Sequence, residues 1–185
     1  SLFNAITQIL MDLKKFIRSI PDYPKKGILF RDITTLIKDE KAFEETINQI
    51  VERSKKFEFT KIAAIESRGF VFASAVSYIL KKPFIMLRKK NKLPSDTHSV
   101  DFELEYGTAT IEVHKDSINK DDKVLIIDDL IATGGTAEAA AKLVSISNGK
   151  VAAFIFVINL FDLGGCKSLK EKGFEVENLI EFPGH

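Results

Sequence analysis

Two adjacent carboxylates, Asp128 and Asp129, follow the apolar residues 124–127 and are the side chains best suited to chemistry. An uninterrupted apolar run predicts a strand buried on both faces, as at the centre of a parallel sheet. Carboxylates at the end of such a strand can accept hydrogen bonds from the hydroxyl groups of a sugar, or can bind a divalent cation.

A small-residue turn follows the carboxylates and precedes an alanine-rich segment, 137–144, that predicts a helix. Free amides at a helix N-terminus, close backbone approach at the glycines and two hydroxyl groups suit a phosphate monoester. The turn lacks the lysine of a P-loop, and the chain has no G-x-G-x-x-G. A ligand with a phosphate group at one end and a diol at the other would fit both parts of this segment, and ribose 5-phosphate is such a ligand. The alternative is an ordinary strand-to-helix turn with solvated carboxylates. The residues of the turn are Ala132, Thr133, Gly134, Gly135 and Thr136.

Apolar periodicity predicts helices that alternate with strands along the chain. Helices are predicted over 3–20, 39–57, 71–80, 137–144 and 167–172, and strands over 61–65, 83–87, 108–113, 124–127, 151–158 and 174–182. This alternation predicts an open, mainly parallel α/β sheet, which binds ligands beyond the carboxyl ends of its strands. Residues 91–107 are polar, without a sustained period, and are predicted to form one long loop.

Two further polar segments follow predicted strands, at the same edge of the sheet as the carboxylates. Ser67 and Arg68 stand at the start of a predicted helix, where amides, a hydroxyl and a guanidinium can bind a second anion. A basic cluster follows residue 87 and consists of Arg88, Lys89, Lys90 and Lys92. By default each segment is a solvated turn, but their common position predicts one shared site.

The composition is that of a globular protein, with 185 residues, 45% hydrophobic and 29% charged. The formal net charge of +1 gives no support for nucleic-acid or membrane binding. A single cysteine, Cys166, excludes an intrachain disulfide and fits a reducing, cytoplasmic compartment. We expect no signal peptide, because the N-terminus has no basic region followed by an apolar run. We expect one domain over 1–185.

Several motifs, in order, resemble the type I phosphoribosyltransferases. Residues 124–136 are similar to that family's phosphoribosyl pyrophosphate signature. Four further segments resemble motifs of the family members that use adenine and stand in the same order along the chain: 24–34 (PKKGILFRDIT), 66–70 (ESRGF), 88–94 (RKKNKLP) and 104–107 (LEYG). Residues 95–102 depart from the family's usual sequence. The resemblance implies the type I fold, with an N-terminal helix and base-binding hood over about 1–37 and a mobile catalytic loop.

The resemblance also implies a role for each segment of the site. Asp128 and Asp129 would bind the ribose hydroxyls, and residues 132–136 the 5-phosphate. Pyrophosphate would be bound by Ser67, Arg68, Arg88, Lys89 and Lys92, some of them across a homodimer interface. Adenine would be bound by Leu29, Phe30, Arg31 and Leu130. The family often holds the bond that corresponds to Glu66–Ser67 in the cis form.

The implied activity is purine salvage, in which adenine and phosphoribosyl pyrophosphate give AMP and pyrophosphate. Mg²⁺ would be held mainly by the substrate, and Glu105 would manage the proton on the purine ring. One alternative is the same transfer to xanthine, guanine or orotate, for which the segment 29–31 is the discriminating feature. Another is a non-enzymatic sensor of phosphoribosyl pyrophosphate that binds nucleic acid, and this would be tested by DNA or RNA binding at low salt.

Overall fold

The computed structural model describes residues 11–104 and 107–185, which fall into two compact units. The first contains residues 11–46 together with His185, and the second contains residues 47–184. The single domain over 1–185 stays a prediction. Within the described residues, none of the helices is long and apolar enough to cross a membrane.

The first unit is built around a two-stranded antiparallel sheet. A 3₁₀ turn at Leu13–Phe16 precedes β1 (Arg18–Pro21), which pairs with β2 (Leu29–Asp32). Helix α1 (Thr34–Ile37) follows, and α2 (Glu40–Ser54) runs on into the second unit. As predicted, Asp39 caps α2, because its Oδ1 accepts a hydrogen bond from the Ala42 amide at 2.9 Å.

The helix predicted over residues 3–20 is wrong for residues 18–20, which belong to β1, and residues 13–16 form a 3₁₀ turn. Residues 1–10 lie outside the described residues. Asp12 accepts a hydrogen bond from the Lys14 amide at 3.1 Å, and Arg18 forms an ion pair with Asp32 on β2. Residues 18–20 form a strand because they pair with β2, and the spacing of apolar residues alone does not reveal a pairing with a segment distant in sequence.

The second unit is built around a seven-stranded sheet. After α2, its strands and α-helices in chain order are β3 (Lys61–Ile65), α3 (Arg68–Leu80), β4 (Phe84–Lys89), β5 (Thr97–Leu104), β6 (Gly107–His114), β7 (Lys123–Ile131), α4 (Gly135–Ile146), β8 (Lys150–Leu160), α5 (Gly165–Glu171) and β9 (Val176–Phe182). The strand order in the sheet is β5-β6-β4-β3-β7-β8-β9. The five strands from β4 to β9 in this order are parallel, which confirms the predicted mainly parallel sheet.

The core of the second unit follows from apolar runs in the central strands. Side chains of β3, β7 and β8 are almost all buried, because a parallel strand inside a doubly covered sheet has no solvent-facing side. Helix α4 buries four alanines and packs against β5, β6 and β8. Their small side chains let the helix lie close to the sheet, which fixes the position of its N-terminus.

The long loop predicted over residues 91–107 is wrong for residues 97–104, which form β5 and pair with β6 from Thr97↔His114 to Leu104↔Gly107. Ser99, Asp101 and Glu103 are exposed, whereas Val100 is buried. Apolar and charged residues alternate only over residues 100–104, because residues 97–99 are all polar, so the period of two is short in the sequence. The mobility of this segment stays a prediction.

Candidate active site

One cavity of about 960 Å³ lies at the carboxyl ends of β3, β4 and β7. The sequence predicts a shared site at this edge, and the three polar segments at the ends of these strands do line the same cavity. The turn after β3, the end of β4 with the turn that follows it, and the small-residue turn after β7 all contribute residues. Asp128 and Asp129 lie within strand β7 itself, which continues beyond the predicted end at residue 127 as far as Ile131. The tip of the hairpin formed by β5 and β6 adds Phe102, Glu103, Leu104 and Thr110.

The predicted 5-phosphate turn, residues 132–136, lines the cavity in full and leads into α4. Gly134 adopts φ 95°, a left-handed conformation that glycine tolerates, and α4 begins at the next residue. The amides of the first helical turn have no partner within the helix, so they can donate hydrogen bonds to an anion. This geometry suits a phosphate group, and the assignment to the 5-phosphate stays a prediction.

Gly165, at the start of α5, supports this turn from behind. Its amide donates a hydrogen bond to the Ala132 carbonyl at 3.0 Å. A Cβ atom on Gly165 would lie 2.5 Å from that carbonyl oxygen and 2.9 Å from the Gly134 amide nitrogen. Sequence reasoning missed Gly165, because its role depends on contact with the Ala132 carbonyl, which is distant in sequence.

Helix α5 is in turn tied to α4 through Glu138. The Glu138 carboxylate accepts a hydrogen bond from Ser168 Oγ at 3.0 Å and forms an ion pair with Lys172 at 2.6 Å. These contacts join the two helices that begin beside the turn at residues 132–136.

Asp128 and Asp129 both line the cavity, and Asp129 is 6% exposed. The Asp129 amide donates to Asp128 Oδ1 at 2.8 Å, and Arg68 Nε lies 2.7 Å from Asp129 Oδ2. Desolvation and the neighbouring Asp129 carboxylate raise the pKa of Asp128 well above its ordinary value. Two carboxylates in different environments can hydrogen-bond two neighbouring hydroxyl groups, as the ribose assignment requires.

Gly69 lets α3 approach these carboxylates. A Cβ atom on Gly69 would lie 2.9 Å from Asp128 Oδ1 and 3.2 Å from the Ile127 carbonyl oxygen. Any other side chain would displace the Asp128 carboxylate or the end of β7.

We expect Gly69→Ala to raise the KM for phosphoribosyl pyrophosphate about tenfold, because the misplaced Asp128 carboxylate loses a hydrogen bond to the substrate. Steady-state kinetics measure this change. Gly184→Ala is the control, since its Cβ would meet the side chain of Leu163 at 2.5 Å and none of the cavity residues. An equal rise in KM in both variants would contradict the role given to Gly69.

Ser67 and Arg68 are exposed and line the cavity at the start of α3. The peptide bond between Glu66 and Ser67 is cis, as the resemblance implies. Arg68 is shared between the predicted pyrophosphate site and Asp129, so it connects the second anion site to the ribose carboxylates. Their contact with pyrophosphate stays a prediction.

The basic cluster at the end of β4 divides in the structure. Lys89, Lys90 and Lys92 line the cavity, whereas the described residues of its lining do not include Arg88. Arg88 instead donates from Nε to Glu66 Oε2 at 3.0 Å. Arg88, Lys89 and Lys92 remain predicted ligands of pyrophosphate, and Lys90, a further member of the predicted basic cluster, also lines the cavity.

The residues predicted to bind adenine lie in both units. Strand β2 contains Leu29, Phe30 and Arg31. The rings of Phe30 and Tyr23 meet edge-on, with their centroids 5.2 Å apart. Arg31 Nη1 donates a hydrogen bond to Ser19 Oγ at 2.6 Å. Leu130 lines the cavity. Their role in binding the base stays a prediction.

Two predictions concern groups that the structure does not display. Glu105 lies outside the described residues, although Glu103 and Leu104 before it line the cavity. For the predicted Mg²⁺, no three His, Cys, Asp or Glu side chains among residues 11–104 and 107–185 cluster as metal ligands. Asp128 and Asp129 offer hard oxygen donors, and most of the coordination would come from the substrate.

Comparison with known proteins agrees with this geometry. Residues 33–181 match the family described as phosphoribosyl transferase domain. The chain is 81% identical over 175 residues to an adenine phosphoribosyltransferase of Pelagibacter ubique, which covers 95% of this chain and 100% of the relative.

Two solved structures of adenine phosphoribosyltransferases are also similar. The enzyme of Thermoanaerobacter pseudethanolicus is 46% identical with a TM-score of 0.88, covering 92% of this chain and 98% of that one. The enzyme of Giardia lamblia, complexed with 9-deazaadenine, is 33% identical with a TM-score of 0.88, covering 92% and 96%.

Proposed function

This chain belongs to the phosphoribosyl transferase domain family, and we propose that it transfers the 5-phosphoribosyl group of phosphoribosyl pyrophosphate to adenine. The products are AMP and pyrophosphate, and the reaction is a step of purine salvage. The observation that carries the proposal is the single cavity that unites a helix N-terminus for phosphate, paired carboxylates for a diol and a second, basic anion site.

In this proposal the substrate lies across the three segments of the cavity. The 5-phosphate accepts hydrogen bonds from the turn at residues 132–136, and the ribose hydroxyls donate to Asp128 and Asp129. Pyrophosphate is bound by Ser67 and Arg68 at the start of α3 and by Lys89 and Lys92 of the basic segment, with Arg88 as a further predicted ligand. Binding at both ends of the ribose fixes C1 for reaction.

The chemical step replaces one bond at C1 of the ribose. The bond from C1 to the pyrophosphate oxygen breaks as a nitrogen of adenine bonds to C1, and the electron pair leaves with pyrophosphate. Positive charge develops on the sugar, as in glycoside hydrolysis. Glu105 accepts the proton that the purine ring must lose. Mg²⁺, when bound with the substrate, supplies charge neutralisation of pyrophosphate.

Recognition of adenine is assigned to Leu29, Phe30 and Arg31 of β2 and to Leu130 of β7. An aromatic ring can stack on a purine, and backbone groups can hydrogen-bond its edge. The solved Giardia lamblia enzyme is complexed with 9-deazaadenine, which supports an adenine-like ligand for the present chain as well.

The direct test is an assay with phosphoribosyl pyrophosphate, Mg²⁺ and adenine. We expect AMP and pyrophosphate to appear in equal amounts and only when adenine is present. Hydrolysis of phosphoribosyl pyrophosphate at the same rate without adenine would contradict transfer as the function.

A homodimer is the proposed assembly, supported by exposed apolar side chains on α3 and the neighbouring β4. Tyr78 is 85% exposed, and Val71, Ile79 and Met86 are also exposed. Exposed apolar side chains in this number favour a protein–protein contact. The cytoplasm is the proposed location, supported by the single cysteine.

We expect Tyr78→Lys to reduce the sedimenting mass from that of a dimer to that of a monomer, because a charge would be buried in the contact. Sedimentation velocity measures the mass. Phe161→Lys is the control, since Phe161 is an exposed apolar residue that does not belong to α3. A monomeric wild-type protein would refute the dimer, and a dimeric Tyr78→Lys variant would exclude this face.

A further inference from the structure

Two carboxylates hold the basic segment at residues 88–92, which consists of the end of β4, where Arg88 and Lys89 pair with β6, and the turn that follows. From one side, Glu66 Oε2 accepts hydrogen bonds from Arg88 Nε at 3.0 Å and from the Lys89 amide at 3.1 Å. From the other side, Glu112 Oε1 accepts a hydrogen bond from the Asn91 amide at 2.8 Å. The backbone amides on both sides of Lys90, those of Lys89 and Asn91, are thereby fixed. Lys89, Lys90 and Lys92 all line the cavity.

Glu112 is the less expected of the two, because it is a charged residue in the middle of a strand and is only 8% exposed. Its second oxygen, Oε2, accepts hydrogen bonds from Ser99 Oγ at 2.5 Å and from Thr97 Oγ1 at 3.2 Å. Hydrogen bonds from Ser99 and Asn91 outweigh the opposing effect of burial and lower the pKa of the Glu112 carboxyl. The group is therefore an anion with three donors.

The connections of Glu112 join three elements. It lies on β6, its hydroxyl donors lie on β5, and its amide donor lies in the turn after β4. Asn91 has φ 66°, so the turn reverses direction there, and the hydrogen bond to Glu112 holds its amide at that point. The sequence shows Glu112 only as one polar residue of a half-exposed strand.

We propose that Glu112 is a positioning residue for pyrophosphate: it holds the segment at residues 88–92 so that Lys89, Lys90 and Lys92 face the cavity. The inference rests on the proposed function, in which this cavity binds phosphoribosyl pyrophosphate. Glu66 directly precedes Ser67 and holds the β4 end of the same segment, so the two predicted anion-binding segments are held in one arrangement.

Charge and geometry predict effects of opposite sign, which makes the proposal testable. If Glu112 acted only through its charge, its loss would strengthen pyrophosphate binding, because a negative charge near the lysines would be removed. If it acts by position, a shorter carboxylate weakens binding even though the charge is kept. Glu112→Asp keeps the charge and shortens the side chain, whereas Glu112→Gln keeps the length and removes the charge.

The experiment is calorimetric binding of pyrophosphate with Mg²⁺ and, separately, of ribose 5-phosphate, to wild type and both variants. We expect Glu112→Asp to weaken pyrophosphate binding about tenfold, since a charge-assisted hydrogen bond to the turn is lost. Glu112→Gln weakens it less, because the amide oxygen still accepts from Asn91. Ribose 5-phosphate binding stays within about twofold of wild type, as its phosphate uses the turn at residues 132–136.

Asp122→Asn is the matched control. Asp122 is also a buried carboxylate with several donors, namely Thr60 Oγ1 at 2.8 Å, the Asn119 amide at 2.9 Å and Lys61 Nζ at 2.9 Å. It lies directly before β7, at the end of the strand opposite the cavity. Its replacement lowers the melting temperature but leaves pyrophosphate affinity unchanged.

Three results would overturn the proposal: unchanged pyrophosphate affinity in Glu112→Asp, tighter binding in Glu112→Gln, or an equal loss of ribose 5-phosphate affinity. If Glu112→Asp does not fold, the sign of the change in Glu112→Gln decides between position and charge. A wild-type protein that binds pyrophosphate but does not convert adenine would refute the proposed function and leave this inference standing.

Discussion

Replacing Glu105 by glutamine lowers kcat about 100-fold or more, which is the usual contribution of a positioned general acid or base. The amide has nearly the shape of the carboxylate but cannot accept the proton from the purine ring. Binding of phosphoribosyl pyrophosphate changes little, because the contacts to its phosphate, ribose and pyrophosphate groups are predicted for other segments. Steady-state kinetics together with calorimetric binding of phosphoribosyl pyrophosphate separate the two effects.

Glu103→Gln is the matched control for Glu105. Glu103 is a carboxylate two residues away that lines the cavity on β5. We expect its replacement to change kcat by less than about threefold, as for a residue outside the chemical step. A large loss in Glu103→Gln with a small loss in Glu105→Gln would transfer the role to Glu103. Equal losses of kcat and of substrate affinity in Glu105→Gln would contradict a catalytic role.

Gly165→Ala weakens binding of ribose 5-phosphate between about tenfold and 100-fold, because displacement of a binding loop by about 1 Å has effects of this size. The added Cβ would lie 2.5 Å from the Ala132 carbonyl oxygen, 2.7 Å from Ile131 Cγ1 and 2.9 Å from the Gly134 nitrogen. Two of these atoms belong to the backbone, so the turn must move. Calorimetry with ribose 5-phosphate measures the loss, and the KM for phosphoribosyl pyrophosphate rises in parallel.

Gly149→Ala is the control for this effect. A Cβ on Gly149 would lie 2.6 Å from Ile118 Cγ2, so the strain is comparable, but the described residues that line the cavity include neither of the two. Both variants lower the melting temperature, and only Gly165→Ala loses affinity for the phosphate. A Gly165→Ala variant with normal ribose 5-phosphate affinity would show that α5 does not position the turn.

The parts of the fold that could be predicted are those with a strong local pattern. The apolar runs of β3, β7 and β8 and the alanines of α4 identify buried elements without knowledge of their neighbours. Their alternation predicts the parallel sheet, and the sheet predicts that Ser67, Lys89 and Asp128 meet at one edge. All three residues line the same cavity, which confirms this prediction.

The parts that could not be predicted depend on partners distant in sequence. Strand β1 exists because it pairs with β2, and β5 exists because it pairs with β6. The roles of Gly165 and Glu112 depend on contacts with residues distant in sequence, and no spacing rule indicates those contacts. The division of the basic cluster, with Arg88 held by Glu66, likewise depends on the tertiary structure.

Transfer of the phosphoribosyl group to adenine in this cavity is tested by kcat/KM for pyrophosphate release, measured in parallel with adenine, hypoxanthine, guanine, xanthine and orotate. We expect adenine to exceed each other base at least about 1,000-fold, as for a site that hydrogen-bonds its substrate. A higher value for another base would contradict the roles of Leu29, Phe30 and Arg31. Tight binding of phosphoribosyl pyrophosphate without turnover of any base would contradict the enzymatic function itself.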